Sequence, residues 1–151
     1  MRRPGFLALI VLSWAPLISC GGEDPIAPGP DTGPVTAYFD GTPFIAETAT
    51  VMRDNFEIVV TATASDQRSI EFRYPDQGDA NYLIGPGNSV SASVTNGSSS
   101  WMAEGADGSG AITVTQTLPT HIEGEFRFTL VGGPDPTTLQ VTNGLFAIDF
   151  F

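Results

Sequence analysis

From Val35 onward apolar residues recur at every second position, and no stretch sustains the 3.6-residue period of an amphipathic helix. A two-residue period belongs to strands with one buried face and one wet face. Phe126, Phe128 and Leu130 alternate with Glu125, Arg127 and Thr129, and Ile112 and Val114 alternate with Thr113, Thr115 and Thr117. Phe56, Ile58, Val60 and Ala62 form another run, as do Ile70, Phe72 and Tyr74, then Val90, Ala92 and Val94, and finally Phe146, Ile148 and Phe150. Turn-forming stretches punctuate them at Asp54-Asn55, Ser65-Asp66, Pro75 to Asp79, Gly85 to Asn88, Asn96-Gly97, Gly108 to Gly110 and Gly132 to Pro136. The pattern predicts an all-β domain of about eight or nine strands, an antiparallel β-sandwich or a flattened barrel, because such short connections leave no room for parallel crossovers. Asn143-Gly144 is either a hairpin turn or a bulge inside one long last strand.

The first 34 residues read differently. Arg2 and Arg3 precede a short apolar stretch from Phe6 to Leu12, followed by a processing region from Ser13 to Cys20, as in an export signal. A membrane-spanning helix needs about 20 apolar residues, and Ser13 and Pro16 interrupt this stretch well before that. Leu17-Ile18-Ser19-Cys20 resembles the lipobox of bacterial lipoproteins. That resemblance implies lipidation of the Cys20 thiol, cleavage before it, and a durable bilayer anchor, since two or more acyl chains hold firmly where one holds marginally. Gly21, standing where Asp would imply inner-membrane retention, favours the outer membrane of the cell envelope. Residues 21–34 carry Pro or Gly in more than half their positions and read as a flexible tether. The expected organisation is a signal peptide over 1–19, a lipidated Cys and tether over 20–34, and a single β domain over 35–151.

There is no Lys, and losing Arg2 and Arg3 with the leader would leave four Arg against 17 acidic residues, a formal charge of −13. A surface of that sign excludes nucleic acid and anionic lipid head groups, which need clustered cations. Cys20 is the only cysteine, so no intrachain disulfide forms and packing has to supply the stability. A domain of this size buries enough apolar surface for that.

The second half of the chain has a recurring pattern. Trp101 leads into Gly108-Ser109-Gly110-Ala111-Ile112-Thr113-Val114-Thr115, then Ile122-Glu123-Gly124-Glu125-Phe126-Arg127-Phe128-Thr129, and Val141-Thr142-Asn143-Gly144-Leu145-Phe146. Upstream, Thr36 to Phe44 supplies an opening strand with a Gly turn, and Asn81-Tyr82-Leu83-Ile84-Gly85 a middle segment. With the lipobox, this resembles a domain-of-unknown-function family found in exported bacterial lipoproteins. The resemblance implies architecture and address, and it implies no chemistry.

Residues able to carry chemistry are few. His121 is the only histidine and reads as a solvent-facing residue at a strand end. Without Lys or a free thiol, Schiff-base and thiol chemistry are excluded, and no nucleophile, base and orienting group can be assembled, so the chain is read as non-catalytic. Glu123 and Glu125 lie on the wet side of their strand, opposite Phe126 and Phe128. No cofactor is expected. Asp76, Asp79 and Asn81 in one turn, or Asp107 beside Gly108, offer oxygen ligands of the kind Ca²⁺ takes, without the spacing of a calcium loop. Trp101, Tyr82 and Tyr74, exposed together, would form a stacking platform for a glycan; the alternative is that Trp101 packs the core. The expectation is a monomeric envelope lipoprotein that binds or packs against something, either a glycan or small ligand near Trp101 or an envelope protein as structural partner. A terminal Phe151 also raises an outer-membrane barrel, which the few apolar residues opposite Phe146 and Ile148, namely Ala147 and Asp149, argue against.

Overall fold

The computed structural model describes residues 33–54, 56–133 and 137–151, and these contain no helix. The leader, Cys20 and nearly all of the tether lie outside the described residues. Ten strands follow one another: β1 (Val35–Phe39), β2 (Thr42–Arg53), β3 (Glu57–Ala64), β4 (Ser69–Pro75), β5 (Asn81–Ile84), β6 (Ser91–Asn96), β7 (Ser99–Glu104), β8 (Ser109–Leu118), β9 (His121–Gly132) and β10 (Thr138–Asp149). All pair antiparallel with their neighbours. In the order β10-β1-β2-β3-β4-β6-β7-β9, with β9 returning to β10, eight strands close a barrel and leave β8 and β5 outside it.

Closure depends on β9. One of its edges pairs with β10 from His121 to Val131. The other is shared, with β8 along His121 to Thr129 and with β7 only at Val131 and Gly132. Strands β7 and β8 thus line up along the same edge, interrupted by the Gly105–Gly108 turn, where Glu104 and Asp107 exchange backbone hydrogen bonds. The barrel ends in two rims. The β1–β2, β3–β4 and β6–β7 turns and the start of β10 form the upper one, while the β2–β3 turn, the β4–β5 loop, the β8–β9 turn and the end of β10 form the lower one.

The alternation in the sequence is the alternation of the wall. Strand β9 reads buried at Ile122, Gly124, Phe126, Phe128 and Leu130 and exposed at Glu123, Glu125 and Arg127. Phe72 stands in the middle of the interior, 5.0 Å from Phe126, 5.4 Å from Phe146 and 6.2 Å from Phe128 between ring centroids, so aromatic rings fill the barrel. An apolar interior and a polar wall are the reverse of a membrane-spanning barrel, whose lipid-facing wall is apolar.

Two sequence expectations resolve here. Asn143-Gly144 is a bulge within β10, with Asn143 at φ +50° and the register to β9 shifting between Val141 and Gly144. Phe56 is not part of the buried run that its parity suggested. It precedes β3, at the lower rim, and is 83% exposed, because the alternation continues past the last residue that has a wall to face.

Tyr74, near the end of β4, is buried among Arg53, Asp76 and Tyr82, and its hydroxyl has no hydrogen-bond partner among the described residues. Burial pushes that hydroxyl far above the usual tyrosine range. A folded-state pKa above the unfolded value leaves the stabilisation complete below pH ~10 and removes it as pH rises toward the folded value. Tyr74→Phe should therefore raise stability at neutral pH by about 1 kcal/mol, by deleting an unpartnered buried hydroxyl, and flatten the alkaline loss. Melting curves at neutral and strongly alkaline pH check both effects; a variant less stable than the parent at neutral pH would contradict the unpartnered state.

Candidate functional site

The upper rim encloses a cleft of about 500 Å³, within the range of small-molecule sites. Its floor is apolar, made by Phe39, Val94, Trp101 and Leu139, and its polar groups come from Asp40, Thr42, Asp66, Arg68 and Asn96. Local sequence explains why these residues gather. Strands β1 and β2 are joined by the two-residue loop Asp40-Gly41, both with positive φ (46° and 78°), the geometry of a tight hairpin that Gly accepts without strain. Asp40 then reaches across the rim, where its carboxylate accepts from the Gln140 backbone N–H at 2.8 Å and ties this hairpin to β10. Asn96 ends β6 beside the Gly97-Ser98 loop, and Asp66 sits in the β3–β4 turn.

Arg68 is the organising side chain. Its Nε donates to the Asp66 carboxylate at 2.7 Å, its backbone N–H to the same carboxylate at 3.1 Å, and Nη2 to the Pro43 carbonyl at 2.8 Å. The guanidinium carbon lies 5.7 Å from the Phe39 ring centroid and 5.8 Å from that of Phe44, over two rings stacked at 4.6 Å. The Arg68 backbone N–H, with the guanidinium beside it, holds the Asp66 carboxyl below the ordinary carboxylate range. The cation is thus fixed in place and already paired, leaving a rim of mixed hydrogen-bonding groups rather than a naked charge.

Trp101, in β7, is half-buried. It packs against the core, its indole N–H donates to Thr137 Oγ1 at 3.1 Å, and its ring covers Gly132 while also lining the cleft. Of the two fates weighed for this residue, packing against the core is the one observed, with one edge of the ring left at the cleft. Tyr74 and Tyr82 do not join it. They lie toward the lower rim, 1% and 7% exposed, with ring centroids 5.1 Å apart, and the Tyr82 hydroxyl donates to the Gly78 carbonyl at 2.6 Å. The three-ring platform does not form, because Trp101 pairs with Val94 and Gly132 at the top of the wall whereas Tyr74 sits at the foot of β4.

Two of the oxygen-bearing side chains considered for Ca²⁺, Asp76 and Asn81, are engaged within the fold. Both Asp76 carboxylate oxygens accept from Arg53, at 2.6 and 2.9 Å, and the Asn81 side-chain oxygen accepts from Thr113 at 3.2 Å. Asp107 belongs to the β7–β8 turn, away from the β4–β5 loop that holds Asp79. Among the described residues no three His, Cys, Asp or Glu side chains converge as a metal site would require. His121 Nδ1 lies 2.7 Å from Asp149 Oδ1 and Nε2 lies 3.8 Å from Glu123 Oε2, at the lower rim.

A family model described as a domain of unknown function, DUF6252, matches residues 31–148. The chain belongs to this family. The match runs from ahead of β1 to Ile148 in β10, so every cleft residue falls inside the DUF6252 domain while Cys20 precedes it. No curated protein and no solved structure matches the chain. Sequence reasoning singled out Trp101 but missed Phe39, Asp40, Asp66 and Arg68. An Asp-x-Arg turn carries no binding signature by itself, and the importance of Arg68 comes from rings on strands that pairing brings alongside it.

Proposed function

We propose that this DUF6252 protein is a lipoprotein of the bacterial cell envelope, held in a bilayer through Cys20, whose barrel binds a short neutral glycan in the Trp101 cleft without transforming it. The observation that carries the binding reading is the cleft itself, an apolar floor with an aromatic edge beneath a ring of carboxylate, amide and hydroxyl groups. Sugars present C–H faces to aromatic rings and hydroxyls to such polar rims. A neutral ligand fits because Arg68 is already neutralised by Asp66 and the chain is strongly acidic. The lipid anchor is supported by the Leu17-Ile18-Ser19-Cys20 stretch and the charged-then-apolar leader before it. The outer membrane is favoured by Gly21.

Calorimetric titration of the protein with cellotetraose and with tetra-N-acetylchitotetraose tests the cleft. At least one should bind saturably, Trp101→Ala and Asn96→Ala should each weaken it about tenfold or more, and Met102→Ala on the outer wall should not. Binding unaffected by both cleft substitutions, or no heat from either sugar, would turn the reading toward a structural envelope protein.

A further inference from the structure

Among the described residues, the lower rim differs from the upper one in carrying exposed large apolar side chains. Met52 is 70% exposed, Phe56 83%, Leu118 46%, and Phe151 is fully exposed. All four lie toward the same end of the barrel, at or just beyond the ends of β2, β8 and β10 and just ahead of β3. Arg53 pairs with Asp76 and donates from Nη1 to the Leu118 carbonyl at 3.1 Å, bridging the ends of β2 and β8. The Phe56 carbonyl accepts from the Asp76 backbone N–H, and the Thr120 carbonyl accepts from the Phe150 N–H. Those bonds draw the Phe56 turn, Leu118 and Phe151 around the same end of the barrel. Soluble surfaces scatter such residues singly, so a cluster at one end asks for a partner.

The chain joins the wall from below the cleft, partway up, with Gly33 against Ala46 of β2. Strand β1 runs upward to Phe39 at the cleft, and its first residue, Val35, pairs with Phe146, while the Pro34 carbonyl accepts from Ala147 N–H near the lower end of β10. Gly33 stands thirteen positions after Cys20. A chain of that length has a root-mean-square reach of about 20 Å. Trp101 faces the last residue of the 12-residue strand β9, which places it about 30 Å above the lower rim at ordinary strand rise and tilt.

The geometry points to a membrane-docking surface: the lower rim rests in the interface of the bilayer that holds Cys20, with Phe56, Met52 and Leu118 among the head groups and the Trp101 cleft held outward. The inference rests on the lipid-anchor reading above. The rim suits zwitterionic rather than anionic lipid, because its Arg53 is already paired with Asp76 and Asp79 adds negative charge.

The full chain, produced in a bacterial host and reconstituted into phosphatidylcholine–phosphatidylethanolamine vesicles with brominated acyl chains, gives the test. Trp14 precedes Cys20, so Trp101 is the only tryptophan of the processed chain. Flotation with the vesicles, lost in Cys20→Ser, reports the anchor. Bromine quenching then reports orientation: Trp101 should lose less than about a tenth of its emission, whereas Phe56→Trp in a Trp101→Phe background should shift to the blue and lose about half. Met52→Trp is a second probe at another exposed position and should behave as Phe56→Trp does. A parent that does not float overturns the anchor and the docking together. A floating parent whose rim probes stay unquenched overturns the docking alone, as does quenching of Trp101 in their place. A blue shift that follows protein concentration without quenching overturns it by assigning the rim to a second copy of the chain.

Discussion

Phe146→Ala should destabilise the barrel by about 3–5 kcal/mol, a large part of the roughly 5–15 kcal/mol that holds a domain of this size. Phe146 is 2% exposed and packs against Phe72 and Phe126, at 5.4 and 6.4 Å between ring centroids. It also sits where β10 meets both β1 and β9, facing Val35 on one side and Gly124 on the other, so its loss loosens the seam that closes the barrel. The melting temperature should fall by roughly 10–20 °C. Asp149→Ala, three residues on and facing outward, removes only the exposed contact to His121 and should cost less than about 1 kcal/mol. Thermal unfolding of the two variants beside the parent decides the matter, and equal melting temperatures would remove Phe146 from the core.

Gly124→Val is expected to cost at least about 3 kcal/mol and to cut the soluble yield sharply. A β-carbon at Gly124 would run into the Thr113 backbone carbonyl of β8 and come within 2.6 Å of the Phe146 ring edge. Neither can give way freely, since one is backbone in a paired strand and the other is wedged among aromatic rings. Gly133→Ala meets nothing within 4 Å and should leave stability unchanged. Soluble yield and denaturant midpoints of both variants check the contrast; a well-folded Gly124→Val would mean that β8 and β9 are not held at the observed separation. Gly124 is thus architectural, allowing a strand and a ring to approach one backbone.

Strand-by-strand structure was legible in the sequence because it is a local property. A two-residue period dictates that Ile122, Phe126 and Phe128 share a face opposite Glu123, Glu125 and Arg127, and the structure buries and exposes them accordingly. A turn at Asn96-Gly97 was also readable, and the structure sets its two-residue loop one residue later, at Gly97-Ser98. What the period does not encode is where a face stops having something to face, which is why Phe56 has the right parity and the wrong environment.

Barrel closure, and with it the cleft, was decided only by tertiary structure. It depends on β9 being shared among β7, β8 and β10, on the Asn143 bulge that resets the β10 register, and on bonds such as Asp40 to Gln140, which join residues 100 apart in the chain. The same pairings lift Trp101 to the upper rim beside Arg68 and Phe39 and leave Tyr74 and Tyr82 buried toward the lower one. Side-chain alternation specifies which face of a strand is buried, but not which strand becomes its neighbour. That choice belongs to the packing of rings from distant strands in the interior, where Phe72 of β4 meets Phe126 and Phe128 of β9 and Phe146 of β10.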